Sequence, residues 1–194
     1  MHPTCHHSLM LMRIAIPLAL LSGPVFAECP AAPDITADMD GLIARAQEAR
    51  NEGAARAISS EMWTFWAQAP DDQAQLLLDE GMTRRSAFDL DGAITAFDAL
   101  IDYCPDYAEG YNQRAFAYFI RGDYEAALPD LDRAISLRPR HIAALAGKGL
   151  TLIQLGRIRE GQDAIRAALA FNPWLSERQF LTLPPEDGPE QIDL

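Results

Sequence analysis

Residues 108–141 read AEGYNQRAFAYFIRGDYEAALPDLDRAISLRPRH, and the structural pattern of the chain is strongest here. Apolar and small side chains recur in it every three or four residues, on both sides of Gly122. Glycine readily ends a helix, and Pro139 cannot continue the backbone hydrogen bonding of one. The stretch therefore predicts two short helices joined by a turn at Gly122.

The pattern of this stretch recurs with a period of 34 residues. Pro105, Pro139 and Pro173 mark the end of each unit. Small and apolar positions also superpose when the sequence is shifted by 34: Gly81 with Ala115 and Gly149, Ala93 with Ala127 and Gly161, Phe97 with Leu131 and Ile165, and Leu100 with Ala134 and Ala168. A fixed period of this length predicts an array of stacked units, which we place at 74–107, 108–141 and 142–175.

The 34-residue period, the small residues at helix contacts and the closing proline together resemble the tetratricopeptide repeat (TPR). This resemblance implies an all-α solenoid, a right-handed superhelix of antiparallel helix pairs that binds other proteins. Residues 108–141 follow the family pattern most closely. The third repeat has Gly161 and Gln162 where the family usually has alanine and an aliphatic residue, and we expect a looser helix pair there. In the first repeat Phe88 replaces the glycine of the turn.

Both ends of the array have flanking segments. Residues 28–73 have the spacing of two more helices, which we interpret as a degenerate N-terminal helical pair or cap. Its aromatic residues Trp63, Phe65 and Trp66 are expected to pack on the first repeat. Residues 176–194 are expected to form a short capping helix and a flexible tail, because proline and acidic residues replace the apolar period there.

The N-terminus has the features of an export signal. Residues 1–27 carry one charged residue, Arg13, followed by a short apolar segment and by small residues up to Ala27. This arrangement is typical of a secretory signal peptide, and the apolar segment is short for a membrane span. We expect cleavage after Ala27 and a periplasmic mature protein; Met10 and Met12 are alternative start positions.

Two cysteines remain in the mature chain, Cys29 and Cys104. In an oxidising compartment they are a possible disulfide. Alternatively, Cys104 is a small buried apolar residue at a helix end. A lipid anchor on Cys29 is not expected, because Glu28 stands where lipoprotein signals have a small residue.

The charge of the mature chain limits its partners. Removal of residues 1–27 takes away one of the 16 Lys and Arg residues and none of the 28 Asp and Glu residues, which leaves a net charge of −13. Such a chain repels nucleic acid and anionic lipid, since nucleic-acid binding needs a concentrated basic surface. We expect neither as a partner, and no membrane span.

Catalytic motifs are not apparent in the sequence. The mature chain has one histidine, His141, at the junction of two repeats, where a role as linker or helix cap is expected. We find no glycine-rich phosphate loop, no paired metal-binding histidines and no serine elbow. The sequence therefore predicts neither an enzyme nor a cofactor or metal site.

The first helices of the repeats carry a second apolar stripe beside the one that packs on the neighbouring helix. In proteins that this chain resembles, the second stripe lines a concave groove that receives a peptide or a helix. The candidate groove residues are Met82, Arg85, Asn112, Phe116, Phe119, Ile120, Leu150 and Ile153. Alternatively, the N-terminal helix pair or the tail fills this groove, or the stripe is core between repeats.

A carboxylate-binding role of the groove is disfavoured. Some TPR modules hold the carboxylate of a peptide terminus with Lys, Asn and Arg side chains, and only Arg114 matches that pattern here. A partner with apolar anchors fits better. The resulting hypothesis is a non-catalytic scaffold or adaptor of the cell envelope. The alternatives are a self-associating structural protein and an accessory subunit of an envelope enzyme or assembly complex.

Overall fold

The computed structural model describes residues 28–182, so the predicted signal peptide (1–27) and the end of the predicted tail (183–194) lie outside the described residues. The described part is helical. It contains α1 (Thr36–Gln47), α2 (Glu52–Trp66), α3 (Asp72–Ser86), α4 (Leu90–Tyr103), α5 (Ala108–Arg121), α6 (Tyr124–Leu137), α7 (Ile142–Gln154), α8 (Ile158–Phe171) and a 3₁₀ helix (Ser176–Thr182). Residues 28–182 contain no β-strand, and the predicted all-α class is confirmed.

Helices α3 to α8 form three helix pairs. Within the pairs α3 packs on α4, α5 on α6 and α7 on α8, and each pair stacks on the next. Helices α4, α6 and α8 each end two residues before a proline, at Pro105, Pro139 and Pro173. The proline ring disfavours a helical conformation of the residue before it, which explains these ends.

Polar side chains cap the N-termini of several helices. The side-chain oxygens of Asn51, Asp71 and Asp89 accept hydrogen bonds from the backbone N–H groups three residues further on, at 2.9, 2.8 and 3.1 Å. His141 does the same for α7, where its Nδ1 lies 3.4 Å from the Ala144 nitrogen. Each cap satisfies an N–H group that has no partner inside the helix.

The turns inside the three pairs share a left-handed backbone residue at equivalent positions. Phe88, Gly122 and Gly156 have φ angles of 60°, 88° and 79°. Glycine adopts this conformation without steric cost, whereas a side chain with a Cβ is strained in it. Phe88 therefore makes the same turn as the two glycines, but with a strained backbone.

Glycine at the pair contacts allows close approach of the two helices. A Cβ on Gly81 would lie 2.3 Å from the Phe97 ring. In the third pair, a Cβ on Gly149 would lie 2.9 Å from the carbonyl oxygen of Gly161, and one on Gly161 would lie 2.7 Å from that of Gly149. The expectation that Gly161 loosens the third repeat is therefore wrong, because the two glycines let the backbones of α7 and α8 meet.

Helices α1 and α2 fold back over the third repeat, and the expectation that their aromatic residues pack on the first repeat is wrong. One buried cluster joins α1 and α2 to α7 and α8: Ile35, Met39, Leu42, Ile43, Ala46, Ile58, Met62, Trp66, Ile142, Leu145, Ala146 and Ala168. Trp63 and Phe65 pack against the same cluster. Polar contacts reinforce it, since the Gln47 amide donates to the Ala170 carbonyl at 2.8 Å.

Both ends of the described chain are attached to the array. A disulfide joins Cys29 to Cys104, which follows α4 directly, with 5.3 Å between the two Cα atoms. Cys104 is therefore both buried and paired. At the other end the 3₁₀ helix packs on α8, and the buried Gln162 amide donates to the Phe180 carbonyl at 3.1 Å.

Candidate peptide-binding groove

Helices α3, α5 and α7 lie side by side and form the surface that we call the inner face. Helix α2 lies over this face, and a space of about 510 Å³ remains between α2 and the inner face. We call this space the cavity. Met62, Trp63 and Trp66 line it from α2, and Phe116 and Leu150 line it from the inner face. The N-terminal pair therefore covers part of the groove without filling it.

Five of the eight predicted groove residues line this cavity: Arg85, Asn112, Phe116, Phe119 and Leu150. The other three lie elsewhere. Met82 packs against the core between α3 and α4, and Ile153 packs against Gly161 of α8. Ile120 lies one helical turn beyond Phe116 on α5 and does not line the cavity.

Phe116 and Ile120 form an exposed apolar pair on α5, which we call the α5 strip. Their side chains are 47% and 36% exposed. Phe119 is different, because its ring packs edge-on against Tyr124, with 5.3 Å between the ring centroids, and it is half-buried. The α5 strip is thus accessible to a partner, whereas Phe119 also stabilises the contact between α5 and α6.

Arg85 brings a positive charge to the wall of the cavity. Its Nη1 donates to Oε1 of Gln113, and its guanidinium carbon lies 4.6 Å from the centroid of the Phe116 ring. Among the described residues no carboxylate forms an ion pair with it. Burial lowers the pKa of Arg85, and the negative charge of Glu109 opposes this shift.

Arg114 does not line the cavity. Its Nε and Nη2 donate to Asp130 at 2.7 and 2.6 Å, and its Nη1 donates to Asp98 at 2.6 Å. These hydrogen bonds, first of all those to Asp130, raise the pKa of the guanidinium. An arginine clamped by two aspartates is not available to a ligand, so the one match to the carboxylate-holding pattern is structural.

A buried polar cluster lies under the covered part of the inner face. His141 Nδ1 accepts the Ala144 N–H, so Nε2 carries the proton and donates to Glu109 Oε2 at 2.7 Å. The amides of Asn112 and Gln113 donate to the other Glu109 oxygen. Both members of the pair are fully enclosed, with His141 0% and Glu109 1% exposed. Both carboxylate oxygens of Glu109 therefore accept hydrogen bonds from side chains inside the protein.

The same cluster holds α2 in place. The Trp66 ring stacks on the His141 ring, with 4.5 Å between the centroids and 16° between the planes. The Tyr107 hydroxyl donates to the Trp66 carbonyl at 2.7 Å. His141 is a helix cap, as expected, and it also anchors α2. Sequence reasoning missed Glu109, because nothing near it in sequence distinguishes it from the exposed acids of other helices.

Neither a metal site nor a membrane-spanning helix occurs in residues 28–182. No group of three or more His, Cys, Asp or Glu side chains in this part of the chain has the proximity that a metal ion needs. No helix in the same range is long and apolar enough to cross a membrane.

Sequence comparison places this chain among repeat proteins. The family model for the tetratricopeptide repeat matches residues 108–141, the bounds of the middle repeat. A TPR repeat-containing protein of Rhizobium etli is 25% identical over 158 residues, which are 80% of this chain and 72% of the relative. DnaJ homolog subfamily C member 3 of Rattus norvegicus is 34% identical over 102 residues, which are 53% of this chain and 20% of the relative. The match thus spans about a fifth of that relative's length.

Solved structures show the same fold. The first TPR of Spaghetti (RPAP3), bound to the HSP90 peptide SRMEEVD, superposes with a TM-score of 0.55 and 23% identity, over 57% of this chain and 93% of that one. The P58(IPK) TPR domain superposes with a TM-score of 0.52 and 30% identity, over 56% of this chain and 30% of that one. Residues 108–141 therefore carry a tetratricopeptide repeat, and the chain has the all-α solenoid fold of the tetratricopeptide-repeat structures.

Proposed function

We propose that this protein is a non-catalytic scaffold or adaptor that binds a segment of another protein at its inner face. The observation that carries the proposal is the α5 strip, Phe116 and Ile120, which lies exposed beside the cavity. Exposed apolar groups next to a concave site are typical of interaction surfaces. A TPR domain of similar fold is bound to a peptide, which supports a peptide or helix as the partner here.

The partner segment has apolar anchors. Phe116 both belongs to the α5 strip and lines the cavity, so a segment lying along α5 places an anchor side chain at the cavity's edge. The aromatic and aliphatic lining from α2 and α7 favours an apolar group there. Helix α2 covers the neighbouring part of the inner face, which restricts the segment to α5 and its surroundings.

We further propose that the protein is exported and acts in the periplasm after cleavage behind Ala27. The disulfide between Cys29 and Cys104 supports export, because disulfides persist in oxidising compartments. The mass of the intact protein purified from cells tests this proposal. A chain beginning at Glu28 is expected, and a mature chain that retains residues 1–27 would contradict export.

Site-specific photo-crosslinking tests the binding surface. A benzoylphenylalanine placed at position 116 is expected to capture a defined partner in periplasmic extract. The matched control is the same residue at position 76, because Leu76 is apolar and 67% exposed but does not line the cavity. Equal capture at both positions would count against the inner face as the site, and capture of a second copy of this chain alone would indicate self-association.

Substitution of the α5 strip tests the same surface independently. Phe116→Ser with Ile120→Ser is expected to abolish binding of the partner identified by crosslinking, measured by co-purification without the crosslinker, with little loss of stability, since exposed positions change it by about 0.5 kcal/mol or less. Leu76→Ser with Phe88→Ser is the control, because both side chains are more exposed than the strip. Unchanged capture by the strip variant would refute the proposed surface.

A further inference from the structure

We infer that the cavity binds an apolar chain carrying one carboxylate, and that this carboxylate pairs with Arg85. The inference rests on the proposed function, because it takes the inner face as the binding site, and it adds the chemistry of the occupant. The sequence disfavours an anionic group in the groove on the basis of Arg114, but Arg85, and not Arg114, lines the cavity.

The walls of the cavity favour an apolar occupant of moderate size. Trp63, Trp66, Phe116 and Leu150 line it from two sides. Its volume of about 510 Å³ falls within the range of about 300–1,000 Å³ that is usual for small-molecule sites. An alkyl or aryl group enclosed there removes apolar surface from water on both partners.

The charge of Arg85 favours a carboxylate at the wall of the cavity. Nη1 donates to Gln113, and the guanidinium carbon lies over the Phe116 ring. The edge formed by Nε and Nη2 has no hydrogen-bond acceptor among the described residues. Two parallel N–H donors on one edge match the two oxygens of a carboxylate.

Acidic side chains pair with other arginines of the repeats, so the chain does not lack acidic partners for an arginine. Arg84 donates to Glu80 and Asp89, and Arg114 is held between two aspartates. Arg85 is more buried than Arg84, and no carboxylate of residues 28–182 forms an ion pair with it. Burial of the Arg85 charge is unfavourable, and the nearby charge of Glu109 opposes only part of this effect, so a ligand carboxylate that pairs with the guanidinium offsets a further part of its desolvation.

The acidic groups near the cavity limit the ligand to one carboxylate. Glu177 lines the cavity, and together with Ser59 and Leu175 it also borders a second cavity of about 370 Å³. Glu109 lies close enough to Arg85 to act on it electrostatically. A second anionic group would be repelled by these carboxylates, so the rest of the ligand is apolar.

Matched probes test the inference on the disulfide-bonded mature chain. Decanoate and decanamide share an alkyl chain and differ in charge. Their binding is measured by calorimetry and by intrinsic tryptophan fluorescence, below the concentration of micelle formation, since Trp63 and Trp66 line the cavity. We expect decanoate to bind about tenfold or more tightly than decanamide, as charge-assisted hydrogen bonds imply. Equal binding of the two probes, or binding of neither, would overturn the inference.

An arginine substitution locates the carboxylate. Arg85→Gln is expected to weaken decanoate binding about tenfold and to leave decanamide binding within about twofold. Arg84→Gln is the control, because Arg84 is adjacent in sequence but does not line the cavity. If Arg85→Gln leaves decanoate binding unchanged, the assignment is wrong. If that variant does not fold, the comparison of decanoate with decanamide on the unmodified chain still tests whether the cavity prefers a carboxylate.

Peptide probes separate two sources of the same chemistry. An acetylated Ala-Ala-Leu-Leu-Phe peptide with a free terminal carboxylate is compared with its amidated form. Preference for the free acid over the amide, lost in Arg85→Gln, would identify the end of a polypeptide as a ligand; decanoate binding without peptide binding would identify a small carboxylic acid. If no probe binds while position 116 still captures a protein, the carboxylate inference fails and the proposed function stands.

Discussion

Phe88 occupies the turn position at which the other two repeats have glycine, and its backbone has a φ angle of 60°. Its side chain is 79% exposed, so burial does not explain the residue. A bulky residue in the left-handed region is strained by about 1–2 kcal/mol. At the scale of single residues, the 34-residue pattern thus determines the turn even where the residue type opposes it.

Phe88→Gly is therefore expected to stabilise the protein by about 1 kcal/mol, measured by urea denaturation. The control is Gly122→Ala, for which a Cβ meets no atom within 4 Å, so that backbone strain alone is introduced. That variant is expected to lose about 1 kcal/mol. A destabilised Phe88→Gly variant would show that the ring makes a contact that compensates for its strain.

His141→Ala is expected to lower the free energy of unfolding by about 3–5 kcal/mol. The substitution leaves the buried Glu109 without one of its hydrogen-bond partners and removes the cap of α7. It also removes the ring on which Trp66 stacks. Asn51→Ala is the comparison, since Asn51 only caps α2 and its loss costs about 1 kcal/mol. Similar melting temperatures for the two variants would mean that the buried polar cluster contributes little to the stability of the protein.

At the scale of helices, the repeats depend on close backbone contact within each pair. The sequence pattern marks the positions of small residues but does not give the distance between helices. Gly149 and Gly161 lie on facing helices, and each approaches the carbonyl oxygen of the other. A residue that departs from the family's alanine thus tightens the third pair, because removal of a methyl group lets two backbones meet.

Gly149→Ala is expected to destabilise the protein by about 1–3 kcal/mol, because the added Cβ would lie 2.9 Å from a backbone oxygen that cannot move independently. Gly41→Ala in α1 is the control, since a Cβ there would meet no atom of residues 28–182 within 4 Å apart from its neighbours and the backbone of its own helix. The control is expected to gain about 0.5–1 kcal/mol from helix propensity. Thermal denaturation measures the stability of both variants. Equal changes in stability would refute the close contact between α7 and α8.

At the scale of the whole molecule, the N-terminal segment connects distant parts of the array. The disulfide attaches it to the end of α4, and α1 and α2 then pack on α7 and α8. Between these contacts Arg138 donates to the Pro33 carbonyl at 3.1 Å. The first and third repeats are thus linked through a segment that precedes both in sequence.

Reduction of the disulfide is expected to lower the free energy of unfolding by up to about 4.5 kcal/mol, because the bond closes a loop between residues separated by 75 positions. Denaturation with and without reductant measures this difference. Cys29→Ser is the control, since its stability is expected to be insensitive to reductant. Two labelled thiols per chain under denaturing, non-reducing conditions would show that the bond is absent.

The positions of the helices follow from the sequence by itself, since apolar spacing, glycine turns and closing prolines act within a few residues. The same periodicity marks one face of each first helix and therefore predicts five residues that share the cavity: Arg85, Asn112, Phe116, Phe119 and Leu150.

The surfaces that meet in the folded protein belong to residues far apart in sequence, and local patterns do not specify them. An apolar face on α2 requires a partner, but its periodicity does not specify whether the first or the third repeat provides it. Glu109 and His141 are separated by 32 positions, and neither has a local pattern that indicates burial. The cavity and the place of Arg85 in its wall likewise arise from long-range packing, because the cavity forms where α2 lies over the inner face.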